Sequence, residues 1–113
     1  MYKFSLGCGN TEVDYELSQM GKDYRISITG GMIHIGGVAL VSMGNYDLLS
    51  VENHKEYEII EPLAQKLTKY PENTFLIVAG IHVDNITLDE IKEIIENNKI
   101  AIAMIDDYLS LRR

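Results

Sequence analysis

Two short segments that alternate polar and apolar residues constrain this chain more than any other feature. Glu12-Val13-Asp14-Tyr15-Glu16-Leu17-Ser18 and Tyr24-Arg25-Ile26-Ser27-Ile28-Thr29 both carry the two-residue period of a half-buried strand, and Gly21-Lys22-Asp23 between them reads as a turn. Paired as an antiparallel hairpin, they set Val13, Tyr15 and Leu17 on the same face as Tyr24, Ile26 and Ile28. Such a face has to be covered, and the remainder of the chain must supply the cover.

Gly30-Gly31 ends the hairpin, and Met32 to Ser42 reads as a third strand. Its segment Val38-Ala39-Leu40-Val41 is apolar on both faces, which predicts a central position. Lys55 to Lys69 places Ile59, Ile60, Leu63, Ala64 and Leu67 at helical spacing. Pro62 lacks an N–H and crowds the preceding turn, so this helix either starts close to Glu61 or bends there. Tyr70-Pro71-Glu72-Asn73 reads as a stop, and Thr74 to Gly80 as a short apolar strand. Thr87-Leu88-Asp89-Glu90 has the form of a capping box, opening a helix with Leu88, Ile91, Ile94 and Ile95 on one stripe. Asn97-Asn98 is the expected break before a final helix from Ile100 to Leu111.

The expected order is β-β-β-α-β-α-α, with an additional strand at Tyr2 to Leu6 as an option. This is an α+β fold, an α/β sandwich with a mixed, mostly antiparallel sheet and helices on one face. Strand Met32–Ser42, its helix and strand Thr74–Gly80 should form a right-handed β-α-β crossover. The stretch around Cys8 and the run Met43 to Val51 match no pattern. With 113 residues and no repeat or linker, a single domain over 1–113 is expected.

Charge narrows the range of partners. There are 10 basic and 17 acidic residues, a formal net charge of −7, and the only adjacent basic pair is Arg112-Arg113. Nucleic-acid binding draws on clustered Lys and Arg, so no nucleic-acid partner is expected, nor an anionic membrane surface. The longest apolar runs, Val38 to Val41 and Ile100 to Ile105, are far shorter than the roughly 20 residues of a membrane span. The first residues lack the apolar stretch of a secretory signal. One cysteine, Cys8, excludes an internal disulfide and suits a reducing compartment, so a cytoplasmic protein is expected. The apolar side chains of the last helix, Ile100, Ile102, Met104 and Ile105 with Tyr108 and Leu109, predict a homodimer.

Chemistry concentrates at three histidines. His34 lies between two glycine pairs in Gly30-Gly31-Met32-Ile33-His34-Ile35-Gly36-Gly37, and glycine in a strand marks a bulge or a place where a ligand approaches the backbone. His54 stands before a helix start, where free N–H groups favour an anion and Asn53 could act as the cap. His82 belongs to Gly80-Ile81-His82-Val83-Asp84-Asn85-Ile86-Thr87, beyond the carboxyl end of a strand, where α/β sheets bind ligands. His82 and Asp84 are two apart and share a side, so the carboxylate could orient the ring; Asp84-Asn85 could equally be a plain turn. His34, His54, His82 and Asp84 together would also suit a small metal-dependent enzyme, a hydrolase or lyase. No two histidines have the short spacing usual in zinc sites, so whether a metal is bound stays open.

Taken in order, Thr29-Gly30-Gly31 leading to His34-Ile35-Gly36-Gly37-Val38-Ala39, then His54-Lys55-Glu56, then Gly80-Ile81-His82-Val83-Asp84-Asn85-Ile86 resemble the LpdD-like family. These are small proteins associated with UbiD-type (de)carboxylases, the enzymes that use prenylated flavin mononucleotide. The resemblance implies an accessory protein, not an enzyme: a chaperone that binds prenylated FMN as cargo and helps load it into the decarboxylase. It also implies a pocket lined by Gly30, Gly31, His34, Gly36, Gly37, His54, His82, Asp84 and Asn85. In that pocket the glycines would admit the flavin or its phosphate to the backbone, and the histidines would hydrogen-bond the phosphate or ring edge.

Overall fold

The computed structural model describes residues 1–52 and 56–112. Among them six strands form one sheet: β1 (Tyr2–Leu6), β2 (Val13–Met20), β3 (Asp23–Gly31), β4 (Gly37–Ser42), β5 (Asn45–Ser50) and β6 (Phe75–His82). Two helices, α1 (Tyr57–Leu67) and α2 (Leu88–Ser110), complete the order β-β-β-β-β-α-β-α. The strands lie in the order β1-β2-β3-β6-β4-β5, and only β3 and β6 are parallel neighbours. The mixed, mostly antiparallel sheet is as expected and the optional strand at Tyr2 to Leu6 forms, while the element order differs by the added β5 and a single final helix.

The hairpin stands in the expected register, with Leu17 opposite Ile26 and Tyr15 opposite Ile28. Gly21, at φ +63°, takes the first turn position, where a left-handed conformation matches the twist of the two strands. Val13, Tyr15, Leu17, Tyr24, Ile26 and Ile28 are all buried. From β4 and β6 the same face adds Ala39, Val41, Phe75, Ile77 and Ala79, and α1 lays Ile59, Ile60, Leu63, Ala64 and Leu67 on it. α2 turns Ile94, Ala101, Ile105 and Leu109 inward. Both helices therefore cover one face, and among the described residues no helix lies on the other, the open face.

Five expectations change. First, Met32–Ser42 is not one strand: β3 continues to Gly31, and residues 32–36 pass across β6 before β4 begins at Gly37. β6 is inserted between β3 and β4, so the chain has to cross it to reach its far side. Second, β4 runs antiparallel to β6, so the strand–helix–strand unit expected from it does not form. The parallel relation to β6 on that side belongs to β5, which lies one strand further out. Third, the unplaced run after Met43 contains β5, joined to β4 through Met43 and Gly44, both at positive φ (52° and 77°). That is the backbone of a two-residue hairpin turn, usually written Asn-Gly and here disguised by methionine.

Fourth, Asn97-Asn98 does not break the last helix, which is continuous for 23 residues. Asn98 is buried, accepts from the Tyr15 hydroxyl (2.7 Å) and donates to the Ile59 carbonyl (3.0 Å). One side chain thus ties α2 to both the sheet and α1. The central placing of the apolar β4 segment is also altered. Its strand is second from the edge, and Leu40 on the open face is exposed. Pro62 lies within α1, which starts earlier than Glu61, at Tyr57.

Candidate functional site

Residues 32–36 lie on the open face over the carboxyl end of β6. Met32 N donates to the His82 carbonyl and Gly36 N to the Ala79 carbonyl, both at 2.8 Å. Between these anchors the backbone of His34 rests on Gly80, where a Cβ would overlap the His34 carbonyl. Glycine at 80 is therefore a steric condition of the crossing. Gly31, at φ +63°, would drive a Cβ into the His82 carbonyl, and Gly36 would drive one into the Glu56 carboxylate. At these sites the space beside glycine is taken by the chain itself. Gly30 and Gly37 are buried, facing the Glu12 carbonyl and Ile60.

The crossing brings His34 and His82 together. Their ring centroids are 6.3 Å apart, and the rings are nearly perpendicular. His34 Nδ1 donates to the Met32 carbonyl (2.9 Å), while Nε2 lies 3.3 Å from Oε1 of Glu56, a buried carboxylate. A carbonyl can only accept, so Nδ1 carries a proton in this arrangement. Both contacts are hydrogen bonds at once only with a second proton between Nε2 and Glu56, on the ring or on the carboxyl. His82 Nε2 lies 3.0 Å from Asp84 Oδ1, both exposed, which is the orienting contact expected from their spacing. Asn85 adopts the left-handed conformation (φ 57°), so the segment is a turn as well.

Next to this cluster, between the two helices, lies a cleft of about 290 Å³. Ile59 of α1, Ile81 of β6 and Ile86, Ile91, Ile94 and Ile95 at the start of α2 form its apolar walls. Glu56, Glu58 and His82 supply the polar part of its lining. Its volume is near the lower end of small-molecule pockets. Glu56 is the functional candidate that sequence reasoning passed over, although it stands in the motif His54-Lys55-Glu56. The isoleucines of α2 read in the sequence as a core stripe, and only the placement of α1 opposite them reveals a cleft.

Both helix starts carry acidic residues in the first turn, Glu58 in α1 and Asp89 and Glu90 in α2, which oppose an anion there. Thr87 Oγ1 accepts from Glu90 N (3.1 Å), and Glu90 Oε1 accepts from Thr87 N (2.9 Å), so the capping box forms as expected. The hydrogen bond from Thr87 N is the main cause that holds the Glu90 carboxyl below its usual range. His54, and the capping role of Asn53, lie outside the described residues. Among the described residues no three His, Cys, Asp or Glu side chains gather as a metal site would require. Among the described residues no helix is long and apolar enough to cross a membrane.

Compared with known protein families, the chain matches the model of the prenylated flavin chaperone LpdD-like domain over residues 7–110. No curated protein matches it. The matched span takes in β2 to β6, both helices, the crossing over Gly80 and the whole cleft.

Proposed function

From the premise that this chain belongs to the prenylated flavin chaperone LpdD-like family, we propose that it carries prenylated FMN as cargo to a UbiD-type (de)carboxylase. The observation that carries this reading is the family match across the elements that build the cleft. The residues present suit the group. Six isoleucines give a flat ring system apolar walls, and Glu56, His82 and the neighbouring His34 offer hydrogen bonds to a polar ring edge. The cofactor's own chemistry is exercised in the decarboxylase; here the chain binds it, orients it and keeps water from its apolar part.

Charge sets the orientation. The carboxylates in the first turns of both helices repel a phosphate, so the ring system enters the cleft and the phosphate points away from α1 and α2. His34 and His82 hydrogen-bond the ring edge or the phosphate, Asp84 orients His82, and His54 is the third candidate contact. Gly31, Gly36 and Gly80 act by allowing the crossing that holds His34 in place, with Gly30, Gly37 and Asn85 completing the frame. The protein works in the cytoplasm as a carrier and not as a catalyst.

Absorbance titration and calorimetry with prenylated and unmodified FMN test this reading. Binding of the prenylated form is expected, with His34→Ala and His82→Ala each weakening it by roughly tenfold, as loss of one hydrogen bond to a charged or polar group would. No affinity for either flavin sinks the proposal. Unchanged affinity in both variants removes the two histidines from it. Transfer is read separately, as activity appearing in a cofactor-free decarboxylase mixed with the loaded protein.

A further inference from the structure

His34 is engaged at both ring nitrogens. Nδ1 donates to the Met32 carbonyl at 2.9 Å, and Nε2 lies 3.3 Å from Oε1 of Glu56. Glu56 is buried, and its carboxylate packs against Gly36, two residues beyond His34 in the crossing. The same residue opens α1: its carbonyl accepts from Ile59 N and Ile60 N, both at 2.9 Å, and it lines the cleft. Glu56 thus joins the crossing over β6 to the helix that forms one wall of the cleft.

The protons on His34 decide what it offers a ligand. With Nδ1 donating to a carbonyl, a neutral ring has a bare lone pair at Nε2, which can then only accept. The oxygens of a flavin, on its phosphate and its ring carbonyls, are acceptors too, so a neutral His34 would set one lone pair against another. A second ring proton makes Nε2 a donor, and a carboxylate beside it stabilises that charged form. Imidazole is the stronger base of the two groups, so the proton shared across this contact rests on the ring. A buried carboxylate in turn calls for a paired positive charge, which the protonated ring supplies. Around the pair, Glu58 adds negative charge to the cleft lining, and His82, 6.3 Å from His34 ring to ring, has Asp84 as its own counter-charge.

We propose that Glu56 is a positioning residue of the flavin site: its carboxylate keeps His34 doubly protonated and aims Nε2, so that His34 meets the cargo as a hydrogen-bond donor. This role rests on the reading of the cleft as a flavin site. The contact with Glu56 is the longer of the two that hold the ring, so the Nε2 proton is the one a cargo oxygen draws on, while Nδ1 stays on the Met32 carbonyl. Glutamine at position 56 would keep the shape and reverse the chemistry. Its amide donates to Nε2, the ring stays neutral, and the donor is lost.

Nitrogen NMR of the His34 ring in the ligand-free chain at neutral pH reads its protons directly, alongside absorbance titration with prenylated FMN. The parent chain is expected to show both ring nitrogens protonated. Glu56→Gln should leave Nε2 bare and weaken binding of prenylated FMN by roughly tenfold, the loss of one hydrogen bond from a charged group. In a His34→Ala chain the same change should cost no further affinity. Circular dichroism checks that each variant keeps the fold, and if Glu56→Gln fails to fold, the ring protons of the parent chain decide. A bare Nε2 in a parent chain that binds the flavin overturns this role alone. So does a Glu56→Gln chain that binds like the parent, or one whose loss is as large without His34 as with it. A parent chain that binds no flavin brings down the function proposed above, and this role with it.

Discussion

At the scale of single residues, the site depends on positions that have no side chain. Gly80 sits under the His34 backbone, and its missing Cβ is what lets residues 32–36 cross β6 at hydrogen-bonding distance. Gly80→Ala should therefore destabilise the fold by about 1–3 kcal/mol, the usual cost of overpacking a tight site. Chemical denaturation measures the loss, and hydrogen exchange at the Met32 and Gly36 amides shows whether the crossing has lifted. Denaturation unchanged from the parent chain would mean that the crossing has other room to move. In the sequence, the glycine pairs around His34 read as a bulge or as a place where a ligand approaches the backbone. What approaches could not be read from them, because it is this chain's own carbonyl and the Glu56 carboxylate.

At the scale of elements, Asn98 shows how tertiary structure overrides a local preference. Asparagine is a poor helix former, and two in succession reasonably suggest a break. Buried between the Tyr15 hydroxyl and the Ile59 carbonyl, Asn98 instead makes the helix continuous and anchors it to two neighbours. Asn98→Leu leaves both partners unsatisfied in the core and should cost about 1–3 kcal/mol. Tyr15→Phe removes the hydroxyl alone, and the two changes together should cost less than their sum. A double-mutant cycle by equilibrium unfolding reads that coupling, and strict additivity would show that the two side chains act independently. The hairpin of β2 and β3 and the capping box of α2 needed no such context. Their residues are neighbours in the chain, and their period or spacing is their geometry.

At the scale of the whole molecule, ionisation bounds the range of stability. Burial pushes the Asp106 carboxyl up, but hydrogen bonds from Lys69 and Tyr70 more than offset this and hold it below its usual value. A carboxyl with a depressed folded-state pKa stabilises above its unfolded value and loses that contribution as pH falls through the folded one. Asp106 and Glu90 therefore predict a loss of stability on acidification below about pH 4. Burial raises both the Tyr15 and Tyr70 hydroxyls, so their contribution is complete below about pH 10 and is lost as pH rises beyond it. Denaturation across the pH range should show a plateau with both limbs, and Asp106→Asn should make the acid limb shallower. An acid limb unaltered by that change would assign acid sensitivity to other carboxylates.

The same division separates what the chain declares from what folding decides. Periodicity, turn residues and the cap define the β2–β3 hairpin, the inward face of α1, the start of α2 and the order of the histidine motifs, because each rests on contacts among residues close in sequence. Of the expected α2 stripe Leu88, Ile91, Ile94 and Ile95, only Ile94 is fully buried. The family was legible for a related reason, since its motifs are short and keep their order. The insertion of β6 between β3 and β4, the crossing it forces and the cleft between α1 and α2 all arise from residues far apart in the chain. No local pattern encodes that pairing. It is selected by the requirement that both helices cover one face while every strand except the edges finds two neighbours, and only the assembled sheet meets that requirement.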